Sequence, residues 1–479
     1  MVSRQVRLRR DPSAEGRSPL QRRFDAIRTD LEVPGPFRAD VLEETRAAIA
    51  AVRLPDRDET ALPFVTIDPP GSMDLDQAMH LTRSGSGFRV RYAIADVAAF
   101  VAPGGALDRE ARHRGQTIYA PDDRTPLHPA ELSEGAASLL PGQVRPAYVW
   151  DFTLDSAGVE TLTDVYRAAV RSVERLDYEG VQAALDSGST DERFVLLREV
   201  GLARIEQQRL RGGSSLSMPE QEVIEGEDGS FSLHYRPPVP AEDWNAQFSL
   251  MTGMAAAHHM MEAKVGILRT MAVPRPEAVA LFRRQAAALG VPWEGGTTYG
   301  QFMRSLDRGN HKHLALTHQA TRLFHGAGYT AVDGEVPLAN SHAAVAAPYA
   351  HVTAPLRRLA DRFGLVVSEC VSRGAEVPDW VRAALPDLPA VMAISDKRAH
   401  AVGRACVDAV EAAVLSSRVG ETFAAWVVDE APNHEVAVQL ADPAILTLAS
   451  GKAGLGDEVR VELLEADPLT GVVRMNLLG

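Results

Sequence analysis

The sequence predicts an α+β protein in three parts, on three observations. Short runs of β-type residues separated by glycine turns occupy roughly residues 62–155, and alternating apolar residues bounded by turn signals indicate strands. Helical periodicity dominates from residue 160 to residue 415. From residue 417 onward, short β-type runs return, which predicts a small five-stranded closed barrel. The lack of alternating strands and helices disfavours a nucleotide-binding fold.

Length and composition bound the class of protein. The chain has 479 residues, of which 45% are hydrophobic and 24% charged, which is typical of a globular protein with a sizeable core. We expect a cytoplasmic protein, because no apolar run reaches the length of a membrane span and no apolar stretch follows the charged N-terminus. We also expect a monomer. The formal charge of −14 disfavours indiscriminate coating of nucleic acid, since that requires a broad positive surface.

The two cysteines carry no recognisable site. Cys370 and Cys406 lie apart, each in an apolar helical pattern, without the paired spacing of zinc or redox motifs. We therefore expect buried, reduced thiols.

Residues 1–58 are predicted to form a basic helical module. Eight arginines stand against three acidic residues in residues 1–28. One helical run can be capped by Ser18, and a second begins at Ala39. The apolar face of the first run comprises Leu20, Phe24 and Ile27. The pair fits either a small helix-turn-helix module or a segment packed on the rest of the chain.

An acidic run follows the β-type run FVTI. It contains Asp68, Asp74 and Asp76 and ends at Gln77. The run FVTI predicts a buried strand, PPGS a turn, and MDLDQAMHL a second strand with Asp74 and Asp76 on one face. Two like charges about 4 Å apart cost on the order of 4 kcal/mol at an effective dielectric near 20, so a cation must offset them. Such a run is either a solvated polar turn or an Mg²⁺ site for phosphoryl chemistry.

Four sequence motifs follow one another along the chain. They are TIDPPGSMDLDQA from Thr66, AIADVAAFVAPGGALDREA from Ala93, RGQTIYAPDDRTPLHPAELS from Arg114, and YAHVTAPLRRLAD from Tyr349. Together they resemble the RNB family, exoribonucleases of the ribonuclease II type. The resemblance implies an RNB catalytic domain over residues 59–416. Residues 417–479 resemble an OB-fold RNA-binding domain of the ribosomal S-one type.

The resemblance implies a Mg²⁺-dependent exoribonuclease with one or two ions. It would take single-stranded RNA by its 3′ end and hydrolyse it in the 3′ to 5′ direction to nucleoside 5′-monophosphates. Asp76 would be the carboxylate most critical for catalysis, with Asp68 and Asp74 holding the metal. Gln77, which stands where the family has a fourth carboxylate, would be a weaker, uncharged metal ligand.

The same resemblance assigns residues to RNA. Tyr119 would stack on or position the terminal nucleotide, because base stacking on an aromatic ring is worth about 1 to 3 kcal/mol without demanding sequence. Arg357 would contact the phosphate and stabilise charge in the transition state. Arg358 would contact RNA or pair with an aspartate. His351 would touch RNA or serve the fold, and we favour the fold.

A second hypothesis comes from a different class of function. Besides Gln77, Gly403 stands where related sequences often carry a glutamate. Both departures are typical of an RNA-binding regulator that keeps the fold but has impaired turnover.

Overall fold

Two closed five-stranded barrels, joined by helices, form the framework of the chain. The computed structural model describes residues 6–9, 18–214, 220–226, 231–236, 238–307, 310–320, 323 and 326–478. The helices of these ranges are α1 Pro19–Asp30, α2 Ala39–Ala51, α3 Ala106–Arg114, α4 Tyr178–Asp186, α5 Glu192–Arg211, α6 Pro240–Ala263, α7 Pro276–Ala288, α8 Tyr299–Ser305, α9 His311–Ala320, α10 Leu359–Ser372, α11 Asp379–Ala384 and α12 Leu388–Leu415. The strands are β1 Val6–Arg9, β2 Phe64–Ile67, β3 Gln77–Ser84, β4 Gly87–Ala95, β5 Ile118–Tyr119, β6 Arg124–Thr125, β7 Val144–Leu154, β8 Glu160–Leu176, β9 Glu220–Glu225, β10 Phe231–Arg236, β11 Val265–Thr270, β12 Gly328–Asp333, β13 Ser341–His342, β14 Ala347–Pro348, β15 Thr422–Ala431, β16 Glu435–Leu440, β17 Leu446–Ser450, β18 Glu458–Asp467 and β19 Val472–Leu478.

The first barrel has the strand order β2-β3-β4-β7-β8 and closes where β2 pairs in parallel with the end of β8. The prediction of helix from residue 160 was wrong at its start, because residues 160–176 form the 17-residue strand β8. This strand pairs with β7 along most of its length and with β2 at its end. Pairing on both sides outweighs local helical preference, since strand propensity depends strongly on cross-strand contacts.

The second barrel has the strand order β15-β16-β17-β19-β18 and closes by pairing of β15 with β18. This is the predicted five-stranded OB barrel, and its existence is confirmed. Gly471 lies in the hairpin between β18 and β19 with a φ of 74°, a conformation that glycine adopts without steric cost.

The two N-terminal helices pack on different parts of the molecule. Helix α1 begins at the predicted cap, where the Gln21 backbone N–H donates to Ser18 Oγ at 3.2 Å. Its side chains Phe24 and Ile27 are buried with helix α12 and the second barrel. Helix α2 instead buries Val41 against the first barrel. The pair is therefore not packed together as a helix-turn-helix module requires.

Helices α6 and α10 cover the first barrel, and α12 runs from that barrel to the second. Cys370 and Cys406 are buried on α10 and α12, as predicted. Along the described ranges, no helix combines the length and the apolar character needed to cross a membrane. The first barrel and its covering helices place the acidic run and the Arg357 segment next to each other.

Candidate active site

The acidic run forms a fixed loop between β2 and β3. Strand β3 begins only at Gln77, so Asp74 and Asp76 precede the strand and do not share one of its faces, contrary to the prediction. The fully buried Ser138 anchors the loop: its hydroxyl donates to the Met73 carbonyl at 2.6 Å and accepts from the Leu75 N–H at 3.0 Å. These bonds hold the backbone between the aspartates in one conformation.

Asp76 lies at the centre of the site. The residue is 4% exposed, and its side chain accepts a hydrogen bond from the Leu356 backbone N–H at 2.8 Å. The Arg357 Nε lies 3.5 Å from Asp76 Oδ2. Burial raises the pKa of Asp76 to about 8, although the Arg357 charge acts in the opposite direction. The positive charge of Arg357 therefore does not fully offset the effect of burial on the Asp76 carboxyl.

Asp68 directly follows β2, and its carboxyl is also desolvated by its surroundings. Burial, followed by the charge of Asp74, raises the pKa of Asp68 to about 7. Asp74 is paired with Arg124, whose Nη1 lies 2.7 Å from Asp74 Oδ1. The structure thus brings the three predicted carboxylates into one electrostatic neighbourhood, and two of them resist ionisation.

These carboxylates suit an Mg²⁺ ion whose other ligands are waters and a substrate phosphate. Within the described part of the chain, no group of three or more Asp, Glu, His or Cys side chains is arranged to hold a metal ion by itself. Mg²⁺ is commonly held by one or two carboxylates together with waters and a substrate phosphate. Desolvated oxygen ligands with raised pKa values, such as those of Asp68 and Asp76, suit that arrangement, because a cation offsets their buried charge.

Gln77 is placed differently from the prediction. Its Oε1 accepts a hydrogen bond from the Tyr92 hydroxyl at 2.7 Å, and its Nε2 donates to the Thr353 carbonyl at 2.5 Å. Both ends of the amide therefore have protein partners. The prediction that Gln77 is a metal ligand is at odds with this arrangement, because a ligating oxygen would have to be shared with Tyr92.

The segment that carries Arg357 is held by its own aspartate. Asp361, which is fully buried, accepts from the Ala354 backbone N–H at 2.7 Å. Arg358 donates to both oxygens of Asp361, at 2.9 and 2.8 Å. Of the two predicted alternatives for Arg358, the structure therefore shows the pairing with an aspartate. Arg357 remains 41% exposed beside Asp76.

Tyr119 lies at the edge of the site in the two-residue strand β5. It pairs with Arg124 of β6, and the side chain is 47% exposed. Its pKa is raised, first because the hydroxyl is desolvated and also by the Asp74 and Asp76 charges, against the lowering effect of Arg357. The ring is thus accessible while the hydroxyl lies within electrostatic range of the carboxylates.

His351 belongs to a buried aromatic group. Its Nδ1 lies 2.7 Å from the Tyr329 hydroxyl, and its ring meets those of Tyr329 and Tyr349 edge to face. Burial and the neighbouring Arg358 charge lower the pKa of His351 well below its usual value. A neutral, packed imidazole agrees with the structural alternative for this residue.

Two site residues were missed by the sequence analysis. Arg124 bridges Asp74 and Glu134 at 2.7 Å each, and Ser138 anchors the acidic loop. Neither has a distinctive sequence signal, because a lone arginine or serine near a turn is common on protein surfaces. Gly403 lies on α12 with open space around its Cα, since an added Cβ would meet nothing within 4 Å.

The chain matches two protein families in chain order. Residues 56–367 match the RNB domain, and residues 421–478 match the RNase II-type exonuclease C-terminal S1 domain. The fold and the site therefore define a protein with two barrels, in which the S1 domain follows the barrel that carries the acidic loop. Because the first match spans more than half of its length, the chain belongs to the RNB family.

Named relatives agree with that assignment. Ribonuclease R of Thermotoga maritima is 27% identical over 425 residues, which cover 83% of this chain and 59% of the relative. The chain thus spans less than two thirds of that relative's length. Among solved structures, Mycoplasma genitalium RNase R in complex with ribose-methylated single-stranded RNA has a TM-score of 0.83 at 20% identity, covering 96% of this chain and 78% of that one. Yeast Ssd1, a pseudonuclease, has a TM-score of 0.70 at 15% identity, covering 92% and 58%.

Proposed function

We propose that this chain is a Mg²⁺-dependent exoribonuclease that hydrolyses single-stranded RNA from its 3′ end to nucleoside 5′-monophosphates. One observation carries the proposal: in a chain of the RNB family, the buried carboxyl of Asp76 lies beside the exposed guanidinium of Arg357. A buried carboxyl with a raised pKa beside a partly exposed arginine suits a phosphodiester, which brings its own negative oxygens and recruits a divalent cation.

The acidic residues would hold the metal. Asp68 and Asp76 would be its ligands, and Asp74 would join them if its pair with Arg124 opens. When bound, Mg²⁺ would polarise the scissile phosphate and favour deprotonation of an attacking water. Gln77 is left out of this ligand set because both ends of its amide are engaged.

The remaining residues would bind and orient the RNA. Arg357 has an exposed fork that can donate to phosphate oxygens and stabilise the charge that develops on them. Tyr119 offers an exposed ring on which the terminal base can stack. Arg358 would act indirectly by fixing the Arg357 segment through Asp361, and His351 by packing with Tyr329 in the buried aromatic group.

The test uses a 5′-labelled single-stranded RNA, Mg²⁺ and the purified chain. We expect progressive loss of nucleotides from the 3′ end, release of 5′-monophosphates, and no shortening by the Asp76→Asn variant. The Asp307→Asn variant is the matched control, since that aspartate is exposed and lies far along the chain from the acidic loop. Shortening by Asp76→Asn at the native rate would contradict the proposal.

A second candidate is an RNA-binding protein with impaired turnover. It is favoured by the neutral Gln77 and by Gly403, which stand where the resemblance to the RNB family implies acidic residues, and by the fold shared with a solved pseudonuclease. The same assay separates the two functions. Tight binding of the RNA without any shortening by the native chain would support the second candidate.

A further inference from the structure

Gln77 joins two segments of the site that are far apart in sequence. Its Nε2 donates to the carbonyl of Thr353, which directly precedes the Arg357 turn, and its Oε1 accepts from the Tyr92 hydroxyl. An amide presents one donor end and one acceptor end. In this position each end meets the partner it needs.

The hydroxyl that meets Gln77 is itself fixed. Tyr92 is fully buried in β4, and its hydroxyl also lies 3.0 Å from the Ser249 hydroxyl of helix α6. Burial raises the pKa of Tyr92, so the hydroxyl stays protonated and keeps its hydrogen to donate. The amide orientation of Gln77 follows, because its oxygen must face this donor and its NH₂ group must face Thr353.

The last residue of the acidic loop and the first residue of β3 therefore hold the Arg357 segment at two points. Gln77 binds the carbonyl of Thr353, and Asp76 binds the N–H of Leu356. Between them, the Arg357 N–H closes a turn on the Ala354 carbonyl at 3.2 Å. The position of the Arg357 guanidinium relative to Asp76 depends on both points of attachment.

A carboxylate at residue 77 of this chain would keep the acceptor for Tyr92 but lose the donor to Thr353. One of its oxygens would lie against the Thr353 carbonyl, so that two acceptors would face each other without a hydrogen between them.

We propose that Gln77 is a positioning residue that holds the Arg357 segment against the acidic loop through its amide donor, and that it is not a metal ligand. This inference rests on the proposed exoribonuclease function. It predicts a loss of turnover when the donor is replaced by a carboxylate, whereas a weak metal ligand would be improved by the same change.

The test compares Gln77→Glu, which keeps the shape and the acceptor for Tyr92, with Gln77→Met, which removes both hydrogen bonds without adding charge. We expect kcat on single-stranded RNA to fall about tenfold or more for Gln77→Glu and less for Gln77→Met, because small displacements of a catalytic group cost large factors in rate. The KM for RNA and the half-saturating Mg²⁺ concentration should stay near their native values. A native kcat for Gln77→Glu, or a lowered Mg²⁺ requirement, would overturn the inference.

Tyr92→Phe provides a second variant if the Gln77 variants fail to fold. It removes only the hydroxyl that orients the amide, so a severalfold drop in kcat at unchanged KM supports the inference and a native kcat overturns it. Arg83→Gln, at an exposed position of the same strand β3, is the control and should keep native kcat. If the native chain fails to shorten RNA, the proposed function and this inference both fall; if it is active and Gln77→Glu is equally active, only the inference falls.

Discussion

In the first barrel, the loop between β2 and β3 buries Asp76 at 4% exposure beside Arg357. In the second barrel, the corresponding interior is filled by apolar side chains such as Val438, Leu440 and Leu463, each 0% exposed. The two barrels have the same number of strands and both are packed with apolar side chains, but the first carries the buried carboxyl of Asp76 in a loop between two of its strands. That carboxyl is therefore not needed to close a five-stranded barrel, since the second barrel closes without a counterpart among these residues.

Among the variants that compare the two barrels, Arg357→Ala in the first barrel should have the largest effect. The change removes the cation that lies 3.5 Å from Asp76, so kcat on single-stranded RNA should fall by about a hundredfold to a thousandfold, as for other groups that stabilise transition-state charge. Single-turnover kinetics of RNA shortening measure this. Arg373→Ala, directly after α10 with a side chain that is 63% exposed, is the control, and an equal loss in that variant would show that the effect is not specific to the site.

The matching change in the second barrel should affect stability instead. Leu463→Ala leaves a cavity in the apolar interior, so the free energy of unfolding should fall by about 2 to 5 kcal/mol, while kcat per folded molecule stays native. Urea denaturation and the RNA assay measure the two quantities. Leu464→Ala, at the exposed neighbouring position, should change neither. A collapse of kcat in folded Leu463→Ala protein would contradict the division between the barrels.

The buried carboxyl of Asp76 in the first barrel should also make the free energy of unfolding depend on pH. The pKa of Asp76 is raised to about 8, above the value near 4 of an exposed carboxyl, so the folded chain binds more protons than the unfolded chain at pH 7. Without Mg²⁺, the free energy of unfolding should therefore fall by on the order of 1 kcal/mol from pH 7 to pH 8.5. Urea denaturation in EDTA measures the fall, which should shrink in Asp76→Asn. A stability that rises over this window would refute the assignment.

The smallest effect is expected on the helix that links the barrels. Gly403 lies in α12 with open space around its Cα, so Gly403→Ala should stabilise the chain by about 1 kcal/mol through helix propensity. Thermal unfolding measures the gain, with Ala401→Gly as the reverse change in the same helix. A destabilised Gly403→Ala variant would show that a neighbour occupies that space after all.

Sequence reasoning predicted the elements that local patterns determine. The buried strand FVTI, the Ser18 cap and the C-terminal five-stranded barrel were all confirmed. Strand β8 was missed because its pairing with β2 and β7 is a tertiary effect. The same limit applies within the site. Gln77 binds Thr353, which is 276 residues away, and no local sequence pattern predicts such a long-range contact.

The most direct measurement takes Asp76→Asn and determines both its rate of RNA shortening and its free energy of unfolding at pH 8 in EDTA. If the buried carboxyl of the first barrel is retained for catalysis at the expense of stability, the variant should lose its activity and unfold at a higher urea concentration than the native chain, because a desolvated charge has been removed. A variant that keeps its activity, or that is less stable than the native chain, would contradict this account.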